Sequence, residues 1–233
     1  MTTTPEALAA EPVEDGAAVS VHGDHPAPHA GGHATTTGVS NEKLAMWAFL
    51  GSECLLFGAL ISTYFLYRGR SVVGPTPKQV YDIPYTSISS FVLLMSSLTM
   101  VLALAAIQRG DQRRLRLWLT ATALLGTVFI GGQVYEFTSF IHEGLTIKTN
   151  LFGSSFFVLT GFHGVHVTVG IIMLLSLVMM SSKGKIPQAK AEVIEIAGLY
   201  WHFVDIVWIV IFTVVYLIPS PKPHVPVPPS LIR

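Results

Sequence analysis

The sequence predicts an all-α fold, a polytopic membrane bundle of five transmembrane helices. Of the 233 residues, 51% are hydrophobic and only 12% are charged, whereas soluble domains average about 25% charged residues. Five segments each contain the roughly 20 mostly apolar residues that a helix needs to cross the hydrocarbon core of a bilayer. None of them alternates polar and apolar residues as a barrel strand does, and in lipid a helix is the other structure that satisfies the backbone.

The five predicted spans follow one another in a single membrane domain, residues 43–218. The first span has Glu53 as its only charged residue, and the second lies in the uncharged stretch between Asp82 and Arg109. The fourth falls within a 34-residue interval that contains no Asp, Glu, Lys or Arg. The spans are predicted at residues 44–67, 84–108, 115–137, 154–181 and 196–218.

Polar tails are predicted on both sides of the membrane domain, at residues 1–42 and 219–233. The first tail lacks the basic and apolar segments of a signal peptide, and its composition is too polar to bury a core, so we expect disorder. Weak metal binding by its histidines is the alternative. The second tail is rich in proline and is expected to be extended. The tail histidines are His22, His25, His29 and His33.

The distribution of Lys and Arg favours one orientation in the membrane. With the N-terminus in the cytoplasm, eight of these residues fall on the inner side and six on the outer side. Because basic residues accumulate in cytoplasmic loops, this excess predicts a cytoplasmic N-terminus and an external C-terminus. The net charge is zero with histidine neutral, so no basic field indicates a nucleic-acid partner.

Six ionisable side chains fall within the predicted spans, where each costs about 2.5–3.5 kcal/mol on insertion scales. No Lys or Arg lies in a predicted span, so each acid must be neutral or paired with histidine, polar side chains or water. The six residues are Glu53, Glu136, His163, His166, His202 and Asp205.

Glu53 lies about ten residues into the first span, close to the middle of the bilayer, among small residues such as Gly51, Ser52 and Gly58. Small residues let a neighbouring helix or a lipid chain approach closely. Because desolvation disfavours the charged form, we expect a neutral carboxyl. It could join two helices, contact lipid or another subunit, or relay protons.

Two pairs of polar residues lie one helical turn apart. His163 and His166 are expected to form hydrogen bonds between helices; the alternative, a metal or haem site, would also need His202 and Glu53 as ligands. His202 and Asp205 are expected to pair on one helix face.

Two further features of the spans concern the edges of the bundle. Glu136 lies near the end of the third predicted span and is expected to reach the headgroup layer, where it would be solvated or hydrogen-bonded. The aromatic residues Tyr200, Trp201 and Trp208 are typical of a membrane interface or a subunit contact.

Four segments, in order on four of the five spans, resemble subunit III of the haem–copper oxidases, in its five-span bacterial form. The resemblance covers residues 43–218. The segments are Trp47–Phe57 (WAFLGSECLLF), Gly132–Phe137 (GQVYEF), Gly153–Val167 (GSSFFVLTGFHGVHV) and Leu199–Trp208 (LYWHFVDIVW).

The resemblance implies a non-catalytic subunit of a proton-translocating cytochrome c oxidase in a bacterial plasma membrane. Family members carry no haem or copper, dock on subunit I, which holds the metals, bind phospholipid in a cleft between helices and sustain proton uptake. Subunit II and other oxidase subunits are the further partners. The family's reactive intramembrane carboxyl falls on Glu53, with Ser52 and Trp47 beside it at the expected lipid or helix contact.

The chain differs from the mitochondrial form of this family, and alternative functions remain open. The mitochondrial form has seven spans, and the two that are missing here precede Leu44, so another subunit would supply that wall of the lipid cleft or the cleft would be more open. Subunit III of a quinol oxidase is the main alternative; Glu53 and Phe162 favour the cytochrome c form. An accessory protein of nitric oxide reductases, a membrane haem protein and a transporter are the remaining alternatives.

Overall fold

A computed structural model describes residues 39–68, 83–142, 144, 146–148 and 151–218. Within these ranges the chain is entirely helical apart from turns, and five helices are long and apolar enough to cross a membrane. The predicted fold class is therefore confirmed. The histidines of the N-terminal tail and the proline-rich C-terminal tail lie outside the described residues.

The helices are longer than the predicted spans at several ends. The third helix starts three residues before the predicted residue 115 and continues five residues past the predicted residue 137. Hydropathy marks only the part of a helix that needs an apolar environment, whereas backbone hydrogen bonding continues into the headgroup layer. The bounds are α1 Asn41–Tyr67, α2 Ile83–Gln108, α3 Gln112–His142, α4 Leu151–Ser182 and α5 Ala191–Phe212. A 3₁₀ turn, Gln188–Lys190, precedes α5, and a π-helical turn, Thr213–Leu217, extends it.

A tight turn joins α2 to α3 and makes the two helices an antiparallel hairpin. Gly110 has a φ of 76° and donates its N–H to the carbonyl of Ile107, the left-handed conformation that ends a helix most cheaply at glycine. Asp111 then caps α3, because its Oδ1 accepts the backbone N–H groups of Arg113 and Arg114. The sequence thus stops one helix and starts the next within two residues.

The most buried of the five spans is the one that contains α5, and the least buried is α1. Of the most apolar stretch of each span, 56% is buried for α5 and 11% for α1. α5 packs against α1, α2 and α4, and α3 packs against α2 and α4. α1 meets the other helices through a narrow seam of residues seven apart, which includes the buried Leu50, Phe57 and Tyr64.

Trp201 lies at the centre of the bundle and is fully buried. Its Nε1 donates to Ser96 Oγ of α2 at 2.9 Å. A Cβ added to Gly126 of α3 would lie 2.7 Å from the indole ring, and one added to Gly170 of α4 would lie 2.8 Å from it. The two glycines therefore make room for the flat ring between the helices.

The prediction that Tyr200, Trp201 and Trp208 line a membrane interface or a subunit contact is wrong. Their exposed fractions are 5%, 0% and 1%, so all three belong to the chain's own core. Trp208 Nε1 donates to Ser90 Oγ of α2 at 2.8 Å, just as Trp201 Nε1 donates to Ser96 Oγ of the same helix. A buried indole N–H needs an acceptor, and α2 supplies a serine for each.

Candidate functional site

Glu53 of α1 and His166 of α4 form a polar pair inside the membrane-spanning region. Glu53 Oε2 lies 3.1 Å from His166 Nε2, and each side chain is 15% exposed. The expectation that His166 makes a hydrogen bond between helices is confirmed, and its partner is the one carboxyl of α1 that the sequence places at mid-membrane depth. The pair joins the least buried helix to the rest of the bundle.

The hydrogen-bond partners of His166 define how many protons the pair holds. His166 Nδ1 lies 2.8 Å from the carbonyl oxygen of Phe162. A carbonyl only accepts, so Nδ1 carries a hydrogen. The hydrogen bond between Nε2 and Glu53 then needs one further proton, on either the carboxyl or the imidazole. In both cases the pair is neutral overall, which removes the cost of an isolated charge in lipid.

Tyr200 connects this pair to α5. Its hydroxyl donates to the backbone carbonyl of His166 at 2.9 Å. The ring of Phe57 meets the His166 imidazole edge-on, with 5.1 Å between centroids. Three helices, α1, α4 and α5, therefore meet around Glu53.

Two residues that were expected beside Glu53 do not bond to it. The Ser52 hydroxyl is exposed and donates to the carbonyl of Phe49 in its own helix. Trp47 is 55% exposed on α1 and makes no hydrogen bond to Glu53. Both face outward from the bundle, so lipid or subunit contact at these positions stays a prediction.

His163 lies in the core but takes no part in hydrogen bonding among the described residues. Its ring is 0% exposed and stacks on Trp208, with centroids 4.9 Å apart and 27° between the planes. The ring of Phe129 packs against it edge-on at 6.0 Å. Neither ring nitrogen has a hydrogen-bond partner in the described part of the chain. The expected hydrogen bond between helices is wrong for His163, which packs as an aromatic ring.

His202 and Asp205 are on one side of α5, but the structure does not pair them. His202 Nδ1 lies 2.6 Å from Ser97 Oγ of α2. Asp205 is 2% exposed, and no group in the described ranges approaches its carboxyl with hydrogen-bonding geometry. Ser97 of α2 also interacts with the Asp205 carboxyl. The serine of the neighbouring helix, which the sequence could not assign, replaces the expected partner of His202.

Glu136 is buried rather than solvated. Its exposed fraction is 6%, and its Oε1 accepts hydrogen bonds from Thr86 Oγ1 at 2.7 Å and from the Tyr216 hydroxyl at 3.1 Å. Burial therefore excludes a solvated side chain, while the expectation that Glu136 lies at the depth of the headgroup layer stays a prediction. The alternative that it is hydrogen-bonded is confirmed.

Arg68 is a buried polar residue that the sequence pattern assigned to a loop. It follows the last residue of α1, is 6% exposed, and donates through Nη2 to the carbonyl of Ile218 at 2.7 Å and through Nη1 to that of Val214 at 3.4 Å. It therefore satisfies carbonyls at the end of α5. In the sequence, the available signal was an arginine directly after a span, with Phe65 one turn before it. In the structure, the Arg68 guanidinium lies 5.7 Å from the centre of the Phe65 ring.

The three histidines of the spans do not converge. His166 pairs with Glu53, His163 stacks on Trp208, and His202 meets Ser97. In the part of the chain that the structure describes, no group of three or more His, Cys, Asp or Glu side chains could hold a metal ion. His166 and His202 join helices to one another, whereas His163 packs as an aromatic ring.

Fold and site together define a multi-pass membrane protein whose intramembrane polar groups connect its own helices. Comparison with known families narrows that class: the model of the family described as "Cytochrome c oxidase subunit III" matches residues 25–220. This chain belongs to the cytochrome c oxidase subunit III family, the third subunit of haem–copper oxidases.

Individual relatives cover most of the chain. It is 39% identical to cytochrome c oxidase subunit 3 of Bacillus sp. (strain PS3) over 185 residues. This aligned region covers 79% of this chain and 89% of the relative. It is 40% identical to quinol oxidase subunit 3 of Bacillus subtilis (strain 168) over 197 residues, and this aligned region covers 84% of this chain and 95% of the relative. Cytochrome c oxidase subunit 3 of Thermostichus vulcanus is 38% identical over 176 residues, 75% and 86% of the two chains.

Proposed function

We propose that this chain is the non-catalytic subunit III of a proton-translocating cytochrome c oxidase. Its main partner is subunit I, with subunit II and other oxidase subunits as further neighbours. The haem and copper that reduce oxygen belong to the partner subunits. The role of this chain is to stabilise subunit I, hold phospholipid against it and sustain its proton uptake during turnover.

The observation that carries this proposal is the Glu53–His166 hydrogen bond in an otherwise thinly packed helix. α1 has most of its surface exposed, and a Cβ added at Gly51 or Gly58 would meet nothing within 4 Å. Hydrogen bonds between helices in membranes contribute about 0.6–2 kcal/mol each. The pair is therefore one of the polar contacts that hold α1, together with the Lys43–Glu195 ion pair and the hydrogen bonds of Arg68, while the open face of α1 is available to lipid or to another subunit.

A cavity between α1 and α4 supports the proposed lipid binding. Its volume is about 170 Å³, and apolar side chains dominate its walls, with hydroxyl groups from Thr63, Tyr67 and Ser154 among them. An acyl chain matches the apolar walls. The hydroxyls of Thr63 and Ser154 already donate to the carbonyls of Ala59 and Ile147, so Tyr67 supplies the hydroxyl that can donate to an ester or phosphate oxygen of a phospholipid. Leu60, Leu151 and Val158 form much of the apolar lining.

The proposed support of proton uptake is indirect. The proton of the Glu53–His166 pair is engaged in the hydrogen bond between them, and the pair is neutral in either form, so we assign it to holding α1 and its lipid in place. Proton uptake by subunit I then depends on this chain through packing. We place the protein in a bacterial plasma membrane with the N-terminus in the cytoplasm and the C-terminus outside, on the strength of the excess of basic residues in the predicted inner loops.

Two substitutions of Glu53 test this function in the purified oxidase. Glu53→Gln keeps a donor for His166 Nε2, whereas Glu53→Leu removes it. We expect both variants to begin turnover at close to the normal rate, and the Leu variant to lose activity after far fewer turnovers than the Gln variant. A Gln variant that stays assembled yet fails to reduce oxygen from the first turnover would contradict a supporting role and indicate a proton carrier.

Subunit III of a quinol oxidase is the second candidate, because relatives named for each enzyme are equally similar to this chain. Glu53 and Phe162 favour the cytochrome c enzyme. Oxygen consumption by the purified complex with reduced cytochrome c and with a quinol, measured separately, distinguishes the two. Activity with quinol alone would exclude the favoured donor.

A further inference from the structure

His202 lies at the middle of the fifth span, on the exposed side of α5. The span runs from Gln188 to Leu217, so a rise of 1.5 Å per residue places His202 about 21 Å from either end. The side chain is half-buried, and the next turn of the same side carries Ile206, which is 59% exposed. Because the charged residues Lys190, Glu192 and Glu195 occupy the first part of this span, its apolar part begins near residue 196, and His202 lies about 9 Å inside the hydrocarbon.

One of the two ring nitrogens of His202 has no hydrogen-bond partner among the residues that the structure describes. Nδ1 is engaged with Ser97 Oγ at 2.6 Å, while Nε2 makes no hydrogen bond in the described ranges and is not enclosed by them. If Ser97 donates to Nδ1, then Nε2 carries the hydrogen and must donate; if Nδ1 donates, then Nε2 must accept. In either tautomer a strong hydrogen-bonding group points out of this chain.

Hydrocarbon cannot satisfy that group. Acyl chains at this depth carry no donor or acceptor, and the nearer lipid headgroups begin about 9 Å away. A polar group left unpaired in lipid is costly, and such groups generally face protein or a water-filled cavity. The surface around His202 is therefore unsuited to contact with lipid alone.

Two helices of the chain itself lie beside the exposed side of α5. α1 and α2 both pack on α5; α1 reaches it beside Phe203, through Phe57, and α2 reaches it beside His202, through Ser97. Exposed apolar side chains lie nearby: Ile206 is one turn after His202 on α5, and Leu98, which is 54% exposed, follows Ser97 on α2. Polar side chains, histidine among them, form hydrogen bonds across contacts between transmembrane helices.

We propose that the His202 face, formed by Leu98, His202 and Ile206, docks against a transmembrane helix of a neighbouring oxidase subunit. That helix carries a hydrogen-bonding side chain, such as serine, threonine, asparagine, glutamine, tyrosine or a carboxyl, at the depth of His202 in the hydrocarbon, where it meets His202 Nε2. This inference rests on the proposed function for the identity of the partner and adds the face and the chemistry of the contact.

Three substitutions of His202 separate the outer contact from the inner one. Glutamine places its amide near the position of Nε2, asparagine places its amide near that of Nδ1, and leucine removes both polar groups. The measurement is the ratio of this chain to subunit I in the purified oxidase after repeated detergent washes. We expect His202→Gln to stay near the wild-type ratio, and His202→Asn and His202→Leu to fall several-fold.

The opposite results would overturn the inference. Full retention of His202→Leu would show that the Nε2 contact is unnecessary, and retention of His202→Asn with loss of His202→Leu would show that only the Ser97 contact matters. In both cases the chain would still purify with an active oxidase, so the proposed function would stand. A wild-type chain that purified with no oxidase would instead contradict the proposed function.

Photocrosslinking identifies the occupant of the face directly. A benzophenone amino acid at Ile206, in the intact membrane, should form an adduct with another oxidase subunit that mass spectrometry can identify. An unirradiated sample is the control. Adducts with lipid alone, or with a second copy of this chain, would contradict the proposed partner.

Discussion

The position of Trp201 between two glycines makes a quantitative prediction for Gly170→Ala. The added Cβ would lie 2.8 Å from Trp201 Cζ3, 2.9 Å from its Cε3 and 3.1 Å from Tyr200 Cε1. Ordinary carbon contacts are about 3.5–4.0 Å, and both rings are buried with no space to withdraw. Overpacking of this kind costs about 1–3 kcal/mol.

Gly161→Ala is the matched control, because Gly161 lies in the same helix and a Cβ there would meet nothing within 4 Å. Both substitutions gain the same helix propensity, up to about 1 kcal/mol. The difference between the two variants therefore isolates the clash, and we expect Gly170→Ala to be less stable than Gly161→Ala by about 1–3 kcal/mol.

Unfolding by sodium dodecyl sulfate in mixed micelles, followed by circular dichroism, measures this difference. A second test combines Gly170→Ala with Trp201→Phe, which removes part of the obstructing ring; the two changes should be non-additive by about 1 kcal/mol in the favourable direction. Equal stability of the two glycine variants, or strict additivity in the double variant, would refute the account of Trp201 as a ring clamped between helices.

Three other contacts make predictions that the same unfolding assay can check. Ser96→Ala leaves the indole N–H of Trp201 unpaired and should destabilise the protein by about 1–3 kcal/mol, whereas the exposed Ser87→Ala should change stability by less than about 0.5 kcal/mol; similar values would argue against the serine–indole contact. Arg68→Met keeps the aliphatic stem but removes the donors to the carbonyls at the end of α5, and should cost about 1.5–3 kcal/mol; an unchanged midpoint would exclude that capping role. Lys43→Ala breaks the partly exposed ion pair with Glu195 and should cost less than about 1 kcal/mol, with the effect reduced in high salt; a larger, salt-independent loss would show a different role.

The features that the sequence predicted correctly depend on residues that are close together along the chain. Span lengths and the rarity of charge predicted five helices, because an apolar segment of sufficient length has few alternatives in lipid. The sharp turn at Gly110 and Asp111 is also a local feature, since a left-handed glycine and a capping carboxylate act within one turn.

Partner choice among the polar groups was not local. The sequence places His202 and Asp205 on one helix side, yet the hydrogen bond of His202 goes to Ser97, which is 105 residues away along the chain. Spacing within a helix restricts which face a side chain occupies, but it does not specify which neighbouring helix lies against that face. Sequence patterns therefore identified the costly residues and only some of their partners.

The aromatic residues show the same division most clearly. Tyrosine and tryptophan near a span are compatible both with a membrane interface and with a core, since each has an apolar body and a polar tip. Burial against Gly126 and Gly170, with a serine acceptor on α2, determined that Trp201 belongs to the core.

By itself, the sequence determined that the chain is a membrane protein of five helices and that a few ionisable groups need hydrogen-bond or charge partners inside it. The tertiary structure alone decided how: Glu53 with His166, Glu136 with Thr86 and Tyr216, and Arg68 with carbonyls at the end of α5. The physical reason is that hydrophobic burial in lipid depends on composition, which a sequence carries directly. A hydrogen bond depends on the distance between two atoms, which exists only once the helices have packed.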